Sequence, residues 1–148
     1  MPFQMKVEVF GDTIVARKLL RFAERAMDMT PAWDEVEPQL QKAFERNFAS
    51  EGPGWAPLKA STIRDRIAQG YSPGPILTRS GAYRKAMTSG LVVHKNPGEL
   101  VALAPEVPGK FHQFGTRTPM PARPLRLRET EKREIIKTIQ RVLIEGYQ

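Results

Sequence analysis

The chain has 148 residues, 23 Lys and Arg against 16 Asp and Glu, a net charge of +7 and no cysteine. That length suits one domain with a core of its own, since about 100–150 residues is the common domain size. Absence of cysteine excludes disulfides, thiolate metal sites and cysteine nucleophiles, which fits a reducing compartment, while the positive balance favours anionic partners and leaves the fold open. Neither a bilayer-crossing run of roughly 20 apolar residues nor an export leader is expected, because Met1 to Lys6 lacks a long apolar core. The chain is expected to stay in the cytoplasm where it is made.

Met5 to Phe10 alternates Met-Lys-Val-Glu-Val-Phe, the pattern of a half-buried strand. Gly11-Asp12 breaks it, with Asp12 placed to cap a helix. Val15, Leu19, Phe22 and Ala26 then recur at helical spacing, with Leu20 and Met27 beside them, and predict an amphipathic helix to about Met29. Thr30-Pro31 reads as a second start, threonine as cap and proline at the first helical position. Val36, Leu40, Ala43, Phe44 and Phe48 continue the apolar spacing to about Ala49. Pro38 removes a hydrogen bond and crowds the preceding turn, which predicts a bend or a late start near Glu37.

From Ser50 to Gly81 glycine and proline punctuate the chain. Turn chemistry surrounds Trp55, and a short helix runs from Ser61 or Thr62 through Ala68 until Gly70 ends it. Tyr71 to Leu77 is a rigid loop, and Thr78 to Met87 has the makings of another helical turn or two. Residues 50–81 are therefore expected as an extended arm or flap rather than core, since long loops within compact domains tend to be functional. Leu91 to His94 and Leu100 to Leu103 read as a hairpin closed by Asn96-Pro97-Gly98. Phe111 to Phe114 begins a short helix or strand. Pro124 to Arg128 predicts an edge strand, with Leu125 and Leu127 inward and Arg126 and Arg128 outward. A final helix opens at Glu129 or Thr130 and carries Ile135, Ile136, Ile139, Val142 and Leu143 as one stripe. The expected class is α+β: a small antiparallel β-sheet packed by two or three amphipathic helices, with a long Gly/Pro-rich central arm, all within one domain over 1–148.

Catalysis is not indicated. His94 and His112 are the two histidines, neither with an acidic neighbour in sequence, and a structural or hydrogen-bonding role suits both. No Gly-x-Ser-x-Gly, Walker A or Gly-x-Gly-x-x-Gly pattern occurs. Acidic pairs such as Asp34/Glu35 and Glu129/Glu131 read as helix-end charges. No catalytic residue, metal or cofactor is expected. Arg117, Arg123, Arg126 and Arg128, with Arg64, Arg66, Arg79, Arg84 and Lys85, suit phosphate contacts, but no nucleic-acid recognition motif accompanies them. A basic nucleic-acid-binding accessory protein is thus the alternative reading, and non-specific contact with DNA stays open.

An ordered set of motifs carries a resemblance. Gly54-Trp55-Ala56-Pro57-Leu58, then Thr62, then Pro75-Ile76-Leu77-Thr78-Arg79-Ser80-Gly81 resemble the first half of the phage virion morphogenesis (tail completion) family. Phe111-His112-Gln113-Phe114-Gly115-Thr116 and Met120-Pro121-Ala122-Arg123-Pro124-Leu125 resemble its second half. The match spans about Leu40 to Ile144, and it departs from the family at Gly109-Lys110, where an aromatic-alanine pair often stands. It implies a non-enzymatic structural protein of a tailed phage virion, made in the host cytoplasm and placed at the tail or neck. Its implied partners are copies of itself in a sixfold ring, a tail tube or terminator protein, and head-connector proteins. Trp55, Pro57, Leu58, Ile76, Leu77, His112, Arg117 and Arg123 are the candidate interface residues. For Trp55 ordinary core packing stands level with that reading, and for Phe111 and Phe114 core packing is the expectation.

Overall fold

The computed structural model describes residues 11–103, 109–116 and 120–146. The strand expected at Met5 to Phe10 lies outside them. The fold is α+β: the described residues form six helices and one two-stranded antiparallel sheet. They run α1 (Asp12–Met27), α2 (Thr30–Ala49), α3 (Ala60–Ala68), α4 (Ala82–Met87), β1 (Val92–Asn96), β2 (Glu99–Leu103), α5 (Gly109–Phe114) and α6 (Glu129–Glu145).

Helix α2 is the spine. Its face of Ala32, Val36, Leu40, Ala43, Asn47 and Phe48 is buried, and its packing partners are α6, α4 and β1. The late start expected from Pro38 does not occur, because α2 runs through it. Pro38 stands on the exposed side of the helix, so its ring meets solvent instead of the core. The cap also differs by a position. Thr30 is already helical, and its amide donates to Asp28 Oδ1 at 3.0 Å.

The hairpin pairs Val92 with Leu103 through Asn96 with Glu99, leaving Pro97-Gly98 at its tip. That tip is tied to the start of α2. Met29 N–H donates to Pro97 O at 2.8 Å, Trp33 Nε1 donates to Asn96 O at 2.8 Å, and Lys95 Nζ lies 2.7 Å from Asp34 and 2.6 Å from Glu37.

One apolar cluster joins Val36, Leu40 and Phe48 of α2 to Trp55, Ile76, Leu77, Met87 and Leu91. The expectation of 50–81 as an arm apart from the core is corrected here. Trp55, Ile76 and Leu77 are 8%, 6% and 8% exposed and belong to the core itself. Gly52 makes room for the indole: a Cβ there would meet Trp55 Cδ2 at 1.9 Å, and its φ of 89° suits glycine.

No strand forms at Pro124 to Arg128, although the sides alternate as expected: Leu125 and Leu127 are half-buried, and Arg126 and Arg128 are exposed. The physical reason is that side chains, not a neighbouring strand, satisfy this backbone. Asn47, wholly buried, donates from Nδ2 to Arg126 O at 2.8 Å and accepts the Arg126 amide on Oδ1 at 3.2 Å. Trp55 Nε1 donates to Pro124 O at 2.9 Å. An amide side chain here does what a strand's peptide group would do.

Helix α6 opens with Glu131 accepting the Arg128 amide at 2.7 Å while Arg46 Nη2 of α2 donates to the same carboxylate at 2.6 Å. Val142 of its stripe is buried with Met29 and Ala32, and Ile135 and Ile139 pack on the main cluster. Ile136 is 52% exposed.

Helix α1 is different. Gly11 with φ of 95° precedes it, in the cap position expected for Asp12, and no side chain caps it. It rests on α6 through Arg25, whose Nη1 donates to Leu143 O at 3.0 Å and Ile144 O at 2.8 Å. Of the residues from Thr13 to Met27, Arg25 is half-buried and the others are exposed, the stripe that ends at Ala26 included. Leu19, Leu20 and Met27 are 64%, 60% and 79% exposed.

Candidate functional site: a cationic cavity behind α3

A cavity of about 980 Å³ opens between the segment from Ala56 to Gln69, the turn and helix start from Leu77 to Tyr83, and the pair His112 and Arg123 beside Met120-Pro121. Each wall has a local cause. Thr62 and Arg66 on α3, with Gln69 capping its end, recur at helical spacing, so they share the face that lines it. Gly70, with φ of 76°, ends α3, and the Tyr71 amide folds back onto Arg66 O at 2.8 Å. Arg66, only 7% exposed, reaches across to donate from Nη1 to Pro75 O at 2.9 Å. The Ile76 amide donates to Glu51 Oε1 at 3.0 Å. This fixes the turn, and Leu77 follows it with φ of 57°, a conformation leucine adopts at some cost.

Arg123 is the second strut. It is 8% exposed, and its guanidinium donates to Ala56 O from Nη2 at 3.0 Å and from Nε at 3.1 Å. Its own amide donates to His112 O at 2.6 Å. Gly115 permits this approach, since a Cβ there would meet Met120 O at 2.9 Å. One arginine therefore binds the Trp55-Ala56-Pro57 segment to α5.

The electrostatics are lopsided. Among the described residues, Lys59, Arg66, Arg79 and Arg123, with His112 beside them, line the space against one carboxylate, Asp65. Burial, reinforced by the charge of Arg66, pushes the Arg123 guanidinium below its ordinary pKa, and burial with the charge of Arg79 does the same to Arg66. His112 is also lowered, first by burial and then by Arg123, so it is held towards its neutral form. Its ring lies 4.8 Å from that of Tyr83, and its buried Nδ1 has no hydrogen-bond partner. Burial raises the Tyr83 phenol. Arg79 sits at the rim with its guanidinium 4.6 Å from the Tyr71 ring centre and donates to Gln69 Oε1.

Of the residues singled out in the sequence, Pro57, Leu58, Leu77, His112 and Arg123 meet at this one cavity. Trp55 and Ile76 do not line it, since they are spent in the core. Arg117 lies outside the described residues. Phe111 and Phe114 are 42% and 78% exposed, so their expected core packing is not found. Lys59, Arg66 and Tyr83 are wall residues that the site reading missed. The signal for Arg66 was present: it shares a helical face with Thr62 and Gln69, yet its charge suggested solvent or phosphate. Among the described residues no cluster of His, Cys, Asp or Glu could hold a metal ion, and no helix is long and apolar enough to cross a membrane.

A family model described as the phage virion morphogenesis family matches residues 12–144. No curated protein and no solved structure matches the chain.

Proposed function

The chain belongs to the phage virion morphogenesis family and is a bacteriophage virion assembly protein; from that premise we propose that it completes the tail, forming a sixfold ring at the neck that joins the tail tube to the head connector. The observation that carries this reading is α1. Ile14, Val15, Leu19, Leu20, Phe22 and Met27 are 42–79% exposed on a helix latched to the body. A contiguous apolar surface on a protein of this size marks an interaction site. A ring closes through heterologous contacts, in which one patch of each subunit meets a different patch of the next. The apolar face of α1 is the patch offered, and tail tube and connector proteins are the partners expected above and below. The protein is read as non-enzymatic: the His112 Nδ1 has no hydrogen-bond partner, so no carboxylate orients the ring through it as a general base would need.

The nucleic-acid alternative loses ground to the fate of its arginines. Arg84 pairs with Glu45, Arg66 and Arg123 are buried and donate to backbone carbonyls, and Arg79 is bonded to Gln69, which leaves Arg64, Lys85, Arg126 and Arg128 exposed. Electron microscopy of the intact particle tests the proposal. Density for this chain as a ring between tail and head is the expected result; its absence from the neck and tail end would sink the idea. Steep salt-dependent duplex binding by the isolated chain at micromolar concentration would favour the alternative.

A further inference from the structure

The cavity behind α3 holds more positive charge than the fold uses. Arg66 donates to Pro75 O through Nη1, and Arg123 spends Nε and Nη2 on Ala56 O and Pro57 O. A guanidinium carries five N–H donors. Among the described residues, these carbonyls are the acceptors that the two guanidinia have. The Nδ1 of His112 is unpartnered, but it is sealed from solvent, so only the other edge of the ring is open to a ligand. Two arginines more than nine-tenths buried, with no described carboxylate ion-paired to either, repel each other and carry a desolvation cost. Around them Pro57, Leu58, Leu77 and Pro121 make the lining apolar. Such a mix of apolar wall and convergent donors is what a peptide-sized ligand requires.

We propose that this cavity is a receptor for an acidic peptide segment of another protein chain, seating a carboxylate between Arg66, Arg123 and His112 with an apolar neighbour against Leu58 and Leu77. Charge complementarity selects the occupant. A carboxylate accepts in-plane from a guanidinium fork and takes an N–H from the open edge of the imidazole, so one group satisfies donors from α3, α5 and the segment before α6 together. Duplex DNA is the wrong shape for it, because a phosphate on a rigid rod cannot enter a concave site walled by proline and leucine. That the acidic segment comes from a neighbouring virion protein rests on the assembly reading; the recognition of a carboxylate does not.

The test uses the full chain, isotopically labelled, titrated with acetyl-Leu-Glu-Leu-Glu-amide and with its Gln counterpart of the same shape. The Glu peptide is expected to shift the His112 ring and the Nε–H signals of Arg66 and Arg123 in a saturable way, and the Gln peptide to leave them unmoved. Arg66→Gln should weaken binding by roughly tenfold or more, as loss of a charged hydrogen bond does. Because Arg66 also braces Pro75, Arg79→Gln at the rim serves as the variant that leaves the fold intact, with a weakening of roughly threefold. Equal binding of both peptides, shifts confined to lysines and arginines outside the cavity, or tighter capture of a DNA duplex by these same residues would each overturn the proposal. Sedimentation of the unliganded chain reads ring formation separately, so a ring that ignores the Glu peptide removes this inference alone.

Discussion

Helix α1 and the segment 50–81 divide the molecule's resources in opposite ways. The helix is regular, amphipathic and fastened mainly by one arginine to the end of α6, with its apolar stripe in solvent. The segment is mostly irregular, yet it supplies Trp55, Ile76 and Leu77 to the core and most of the cavity wall. Regularity and integration are therefore separate properties. Irregular backbone can be integral when side chains such as Arg66, Glu51 and Arg123 satisfy its peptide groups. A well-formed helix can be peripheral when its polar edge does the docking.

Substitutions in the two regions should separate sharply. Trp55→Ala removes a core indole and its bond to Pro124, and is expected to cost about 3–5 kcal/mol in urea unfolding. A cost near zero would mean that 50–81 is detachable after all. Next comes Asn47→Ala, which strands the Arg126 peptide group and should cost about 1–3 kcal/mol by the same measurement. Glu131→Gln probes the junction between α2 and α6. The Arg46 hydrogen bonds hold the Glu131 carboxyl below its ordinary range. Its folded pKa is depressed, so the stabilisation is full above the ordinary glutamate value of about 4.3 and is lost as pH falls through the lower folded value. The variant should lose about 1 kcal/mol at neutral pH and show a flatter acid limb between about pH 5 and 3. Leu19→Ser with Leu20→Ser on α1 should change monomer stability by about 0.5 kcal/mol or less. The same pair should abolish ring formation in sedimentation; intact rings would show that another face mates.

The long helices were legible because α2 and α6 bury the stripes that their 3.6-residue spacing marks out. So was the hairpin, since Asn-Pro-Gly leaves few options between two apolar runs. What stayed hidden depended on contacts between residues far apart in the chain. Asn47 looked like a polar residue on a helix, and nothing local says that it completes the backbone of Arg126. Trp55 sat in glycine and proline, so its burial against Phe48 could not be told from display. In α1 the pattern was read correctly and its burial was not, because an apolar stripe reports a need for cover without saying which chain supplies it. At the cavity, Arg66 and Arg123 defied the usual link between charge and solvent, and burial of an arginine by carbonyls leaves no periodic trace.

The latch at Arg25 has a mechanical consequence. One guanidinium gripping two carbonyls of the last turn of α6 is a pivot more than a weld: it fixes where α1 is held but only loosely the angle at which it projects. If neighbouring subunits meet through α1, that angle is the wedge between them, and wedge angle decides how many copies close a circle. The curvature of the assembly would then be tuned from the far end of the sequence, around Leu143 to Gly146, where a Cβ on Gly146 would press on the Arg25 guanidinium at 3.1 Å.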